Sequence, residues 1–180
     1  MQARDEAPLE GERYVEEKYL KHLFAETKIV NGVGDMEQWY ALLPPAQYKA
    51  LKERVDVEFL PVNREIVPVK EPVVLHVAIK NVPTLIIKTY KINTVNFYRE
   101  RQEEITTAID LDGLVPNDEK VVRYKQVPLR RHVETFVFDD LTEPGVYVIE
   151  LIGNGQSSRT LIHKGRLTYT ERLGSAGHVF

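Results

Sequence analysis

The chain predicts a mainly β fold, an antiparallel β-sandwich with an N-terminal helical appendage, and three observations carry that expectation. Pro128 to Arg166 contains three alternating apolar runs divided by turn residues. The spacing of apolar residues changes from helical to strand-like near residue 54. After that point no helical pattern is long enough to serve as a parallel crossover, so a doubly wound sheet is disfavoured.

Taken in order, Tyr14, Val15, Tyr19, Leu20, Leu23 and Phe24 recur at the three-to-four spacing of an amphipathic helix of about fifteen residues, with Glu16, Glu17, Lys18 and Lys21 opposite. This stripe is expected to cover a face of the sandwich. Asn31, Gly32 and Gly34 interrupt the helix, and Asp35 can cap a short turn from Glu37 to Leu43. Pro44-Pro45 ends that turn and opens a helix over Ala46 to Arg54, because proline is accepted in a first helical turn, where its missing N–H goes unused.

From Val55 onward the period is two. Val55, Val57 and Phe59 alternate, as do Val73, Leu75, Val77 and Ile79, while Thr84 to Ile92 is β-branched and apolar enough for a strand covered on both faces. Tyr98 to Glu104 is too charged for a core strand and leaves two readings open, a helical turn or an extended edge. Ile105 to Leu111, Val121 to Tyr124, Val133 to Phe138, Val146 to Ile152, Ser158 to His163 and Arg166 to Tyr169 complete about seven to nine strands. Asp139 to Gly145 and Gly153-Asn154-Gly155 supply the reversals that pair neighbouring runs. The expected core is Val77, Ile79, Leu85, Ile87, Phe136, Phe138, Val146 and Val148. The expected division is a helical segment over 1–54, a sandwich over 55–170 and a linker over 171–180.

Composition narrows the function classes. The 180 residues are 43% hydrophobic and 28% charged, with a formal net charge of -3 and the signs interspersed. Such a field gives little purchase on nucleic acid. No apolar run approaches the roughly 20 residues of a membrane-spanning helix, and the first residues are polar and acidic instead of signal-like. The absence of cysteine excludes disulfides and thiolate chemistry, and together with the lack of an Asn-x-Ser/Thr sequon it tilts toward an intracellular or bacterial setting.

Within the strand region, the Leu-Arg-Arg-His-x-Glu-x-Phe-x-Phe run, the Pro144-Gly145-Val146-Tyr147 strand opening and the strand that includes Arg159 resemble a macroglobulin-type module. These are the repeated β-sandwiches of large proteins similar to alpha-2-macroglobulin, of the same broad architecture as immunoglobulin and fibronectin type III domains. The resemblance covers about residues 55 to 170. It implies one module of a longer protein, without the thioester chemistry that would need a cysteine.

Candidate chemistry is sparse. Asp110, Asp112, Asn117, Asp118 and Glu119 gather oxygen ligands as a calcium loop does, but without EF-hand spacing, so a solvated turn is the simpler reading. His22 and Glu26 lie one helical turn apart with no third ligand nearby, and His76, His132, His163 and His178 are scattered singly. Ser157 and Ser158 lie outside any Gly-x-Ser-x-Gly elbow. No catalytic, metal or cofactor residue is therefore assigned. Arg130, Arg131 and Arg159 are read either as cross-strand partners of Glu134 and Glu150 or as a patch for an acidic partner. Trp39 and Tyr40 either pin the appendage to the sandwich or contact a partner. The expected function is a non-enzymatic structural or protein-interaction module that contacts neighbouring modules of the same chain or another protein. The alternative is a carbohydrate- or calcium-dependent binding domain using Trp39, Tyr98 and the 110–119 loop.

Overall fold

Three helices lead into the sandwich. The structure is a computed structural model that describes residues 17–165 and the backbone of two short strands beyond them. Helix α1 spans Glu17–Asn31, α2 Met36–Leu42 and α3 Pro45–Glu53. Asp35 caps α2 by accepting the Glu37 N–H at 3.0 Å, and Pro45 opens α3. Tyr14 and Val15 lie outside the described residues.

The sandwich has a three-stranded and a five-stranded sheet. In the first, β3 (Val73–Lys80) lies between β1 (Asp56–Phe59) and β6 (Arg131–Phe138). In the second the order is β2 (Ile66–Val67), β8 (Gln156–Lys164), β7 (Gly145–Gly153), β4 (Thr84–Ile92) and β5 (Asp118–Arg123). All these pairings are antiparallel except β2 with β8. Arg172–Gly174 (β9) and Gly177–Val179 (β10) form a separate two-stranded ribbon. The predicted strand at Arg166 to Tyr169 lies outside the described residues.

Alternation explains the core. Leu75, Val77 and Ile79 of β3 meet Leu85 and Ile87 of β4 and Tyr147, Ile149 and Leu151 of β7 between the sheets, all buried. Six of the eight expected core residues are buried; Phe136 and Val146 are half-buried, because Phe136 belongs to an edge strand and Val146 stands at the start of β7. Strands β4 and β7 are also covered outside. There Tyr90, Val148 and Leu111 form a second apolar cluster, built by the insertion between β4 and β5. That insertion starts with α4 (Thr94–Arg101), which decides for a helix at Tyr98. The strand expected at Ile105 to Leu111 is absent: this segment crosses the sheet as irregular chain, burying Ile105 and Leu111, and its apolar residues mark a cover rather than a ladder.

The strand order is that of an immunoglobulin-like sandwich, with β1, β3 and β6 in the places of A, B and E and β4, β7 and β8 in those of C, F and G. Tyr147 supplies a second mark of this fold. Its hydroxyl donates to the Glu143 carbonyl at 2.9 Å, closing the tyrosine corner before the F-type strand. Ile149, two residues on, is fully buried where disulfide-bearing relatives of the fold carry a cysteine. Tyr147→Phe should therefore lower the unfolding free energy by about 1 kcal/mol, read by urea denaturation with unchanged slope; no loss would show that the corner is dispensable here.

Helices and sandwich are joined through a lysine. Lys80 is fully buried at the end of β3, and its ammonium donates to the carbonyls of Leu51 (2.6 Å) and Arg54 (2.7 Å), groups that the end of α3 leaves unpaired. Asn81 adds its side-chain N–H groups to the Lys52 and Glu53 carbonyls, at 3.3 and 3.2 Å. Burial lowers the pKa of Lys80; the Asp56 carboxylate opposes that shift and Arg54 adds to it.

Candidate protein-interaction surface

Helix α1 is apolar on two sides. Ala25 and Ile29, one turn apart, are buried against Leu43 and Leu51 in a small core of their own. Leu20, Leu23, Phe24 and Thr27 follow at i, i+3, i+4 and i+7 and lie on the other side. Their exposure is high for such residues: Leu20 51%, Leu23 47% and Phe24 53%, with Tyr19 at 59% beside them. The expectation that this stripe covers the sandwich is thus corrected. Ala25, Ile29 and Val30 make the buried face, and the larger side chains point outward. Large apolar side chains grouped on the surface in this way make a candidate interaction site. Glu17 and Lys21 border it as an i,i+4 ion pair at 2.7 Å, and the Lys28 ammonium sits 5.1 Å from the centre of the Phe24 ring.

Trp39 holds this surface in shape. Its indole N–H donates to the Val33 carbonyl at 2.9 Å, and its ring meets Phe24 edge-on with centroids 5.6 Å apart. Gly34 takes φ +84° beside the indole, where a side chain would both strain the backbone and press on Nε1 at 3.0 Å. Tyr40 packs edge-on against Tyr48 at 5.1 Å, over the core shared by the three helices.

The three arginines do not converge. The Arg130 guanidinium lies over Gly32, where an added Cβ would fall 0.9 Å from Nη1, so the β5–β6 connection is seated on the end of α1. Beside it a cleft of about 510 Å³ is lined by Ile29, Met36, Tyr40, Tyr48 and Leu129. Arg131 reaches across the three-stranded sheet to Glu58 at 2.7 Å and Asp56 at 3.9 Å. It does not meet Glu134, whose carboxylate is 3.4 Å from His132 Nε2. Arg159 faces Glu150 directly in register, and its Nε and Nη2 reach one carboxylate oxygen at 2.8 and 2.7 Å. Its Nη1 donates to the Ile109 carbonyl at 3.0 Å, fastening the insertion to the sheet.

In the acidic loop Asn117 alone adds a side-chain bond to the sheet, and the neighbouring carboxylates are engaged locally. Asp110 accepts the Asp112 N–H at 2.9 Å, Asn117 accepts the Lys91 N–H at 2.6 Å, and Asp118 is paired with Lys120 at 3.5 Å. A cleft of about 660 Å³ beside it, lined by Lys91, Phe97, Arg101, Glu104 and Asp110, includes neither Trp39 nor Tyr98. No helix among the described residues is long and apolar enough to cross a membrane.

Comparison with known proteins follows the same division. Residues 85–165 match the family model described as the AbpF first immunoglobulin-like domain. Residues 4–55 match the one described as the Actin-binding protein F N-terminal domain. The chain is similar to Actin-binding protein F. The curated relative of that name, from Dictyostelium discoideum, is 38% identical over 169 residues, which take in 92% of this chain and 7% of the relative. This chain therefore spans a small part of the length of Actin-binding protein F. The resemblance to macroglobulin-type modules is overturned by these matches. Its physical origin is the Pro144-Gly145-Val146-Tyr147 segment, which is shared by sandwiches that open a strand at a tyrosine corner and here belongs to an immunoglobulin-like one.

Proposed function

We propose that this chain is a non-enzymatic protein-interaction module of a larger actin-binding protein, and that it contacts filamentous actin or a protein of the actin cytoskeleton through the outward face of α1. The observation that carries this reading is the Tyr19, Leu20, Leu23, Phe24 surface, four large apolar side chains about half exposed on one helix, with the Trp39 ring packed against Phe24. Support for the partner comes from the similarity to Actin-binding protein F over 92% of the chain. In this reading the sandwich is the scaffold: its buried end lysine fixes α3, α3 packs on α1, and α1 offers its free side. The arginines named above serve the scaffold, and Trp39 shapes the contact surface from below.

Co-sedimentation of the 180-residue chain with filamentous actin tests this. Leu20→Glu with Leu23→Glu should reduce the bound fraction at least about tenfold while leaving the melting temperature within about 2 °C, since exposed residues carry little of the folded stability. Binding that survives the double substitution would place the contact elsewhere.

A further inference from the structure

We propose that the free edge of β6 takes an extended segment of a partner polypeptide, which joins the three-stranded sheet as a fourth strand. Its outward side chains would be apolar, and an inward one would carry a hydrogen-bonding group. This surface is separate from the α1 face and does not depend on it.

The direction of the backbone groups follows from β3. The Leu60 N–H donates to the His76 carbonyl at 3.0 Å, and the His76 N–H donates to the Asn63 side-chain oxygen at 2.7 Å, so both main-chain groups of His76 point away from β6. His76 stands opposite Thr135 in the antiparallel register. In such a ladder a pair that does not exchange hydrogen bonds turns its groups outward on both sides. Thr135 therefore presents its N–H and C=O at the free edge, and the two-residue period adds Arg131, Val133 and Val137. Among the described residues β6 pairs with β3 alone, whereas constant-type immunoglobulin domains place a further strand at this position.

Natural edges are blunted by charge, proline or brevity. The edge of the other sheet, β5, follows that rule: Asp118, Glu119, Lys120 and Arg123 fill four of its six positions. Strand β6 is less blunted. It runs eight residues without proline, its two charges are Arg131, drawn across the sheet to Glu58, and Glu134, turned inward beside His132, and Val133 and Val137 stand about half exposed on its outer face beside Val74 of β3. An added strand with apolar side chains on that face would extend this row.

The inner face supplies the third observation. Tyr124, which continues β5 by donating its N–H to the Pro83 carbonyl, meets the His132 ring edge-on with centroids 5.3 Å apart, so the pair spans the gap between the two sheet edges. The Tyr124 hydroxyl and His132 Nδ1 are out of water without a hydrogen-bond partner, and the buried His132 Nε2 has only the Glu134 carboxylate, 3.4 Å away, near it. Burial, reinforced by the Glu134 carboxylate, pushes the Tyr124 hydroxyl up to about 12, so it remains a donor at neutral pH. Unpaired buried groups of this kind are costly, and a partner side chain carrying a hydroxyl or amide would relieve them. One kind of occupant thus meets the free backbone groups, the valine row and the unpaired polar atoms together, as in strand addition generally.

The test uses the full chain and a blocked octapeptide of alternating valine and threonine, followed by amide NMR and hydrogen exchange. The expected result is saturable shifts at His132 and Tyr124 and at least tenfold slower exchange at Val133, Thr135 and Val137. A peptide with alanine in place of threonine should bind about tenfold more weakly, one hydrogen bond's worth. Thr135→Pro removes an edge-facing N–H without touching the ladder to β3, and it should abolish the peptide-induced shifts. If that variant does not fold, the exchange result on the unaltered chain decides. The proposal is overturned if neither peptide changes exchange along β6, or if Thr135→Pro folds and binds as before. It is also overturned if those amides are already protected without peptide, whether by the chain's own residues beyond 165 or by a second copy seen as a dimer in sedimentation.

Discussion

Replacing Lys80 with methionine is expected to lower the unfolding free energy by about 3 kcal/mol and the melting temperature by roughly 6–12 °C. The reason lies in what the ammonium serves. Methionine fills a similar volume but leaves the Leu51 and Arg54 carbonyls without their donor at the buried end of α3, and it strips the nearby Asp56 carboxylate of a cationic neighbour. Alkaline titration gives a second signature. The folded-state pKa of Lys80 is depressed, so below it both folded and unfolded chains carry the charge and the cost of burying it is fully present. As pH rises through that value toward the ordinary lysine range, the folded chain sheds the proton first and gains stability relative to the unfolded one. The difference in stability between the native chain and Lys80→Met should therefore widen with rising pH; a constant difference would mean that Lys80 is more hydrated than its burial implies. Groups such as Lys91 and Lys120, whose pKa values are raised by Glu143 and Asp140, occur in both proteins and cancel in the comparison.

Arg159→Met should cost about 3 kcal/mol, because it strands the Glu150 carboxylate in a nearly dry site and takes a donor from the Ile109 carbonyl. The insertion covering the outer face of β4 and β7 should loosen with it, which limited proteolysis would read as faster cleavage within residues 93–117. A control separates the ion pair from simple packing. Exchanging both Glu150 and Arg159 for methionine removes the stranded charge and should recover more than half of the lost stability, since an apolar pair of similar size can replace a buried ion pair at little cost. Equal losses in the single and double variants would show that the arginine acts through packing alone.

The sandwich was readable because its strands obey the two-residue period: Val73 to Ile79 alternate against a core that the hydrophobic effect selects. In β7, apolar on both faces, the row expected to face that core, Val146, Val148 and Ile152, faces outward, and Tyr147, Ile149 and Leu151 line the core instead. The ion pair of Glu150 with Arg159 was readable as well, since a Gly-Asn-Gly turn fixes those residues opposite each other. The outward face of α1 was not. Pattern reading assigns the largest apolar side chains to the buried side, and here the buried side is built from Ala25 and Ile29 because α2 and α3 pack closely against it. The smaller residues at that spacing were the available signal. Ile105 to Leu111 misled for a related reason: apolar residues that cover a sheet face carry the same hydrophobicity as residues within a strand. The placement of Arg131 on Glu58 needed the pairing of β1 with β3 and β3 with β6, a long-range register that local sequence does not encode.

The claim on which the rest depends is that the helices and the sandwich fold as one clamped unit that presents α1. Trp39, the single tryptophan, lies in the helical part, and the β-sheet signal in circular dichroism arises in the sandwich, so one urea titration followed by both probes addresses it directly. Coincident transitions with the same midpoint and slope are predicted, because the Lys80 and Asn81 contacts couple the end of α3 to the sheet. A tryptophan transition at distinctly lower urea, with the sheet signal unchanged through it, would contradict the clamp and leave the helical segment as an independent unit.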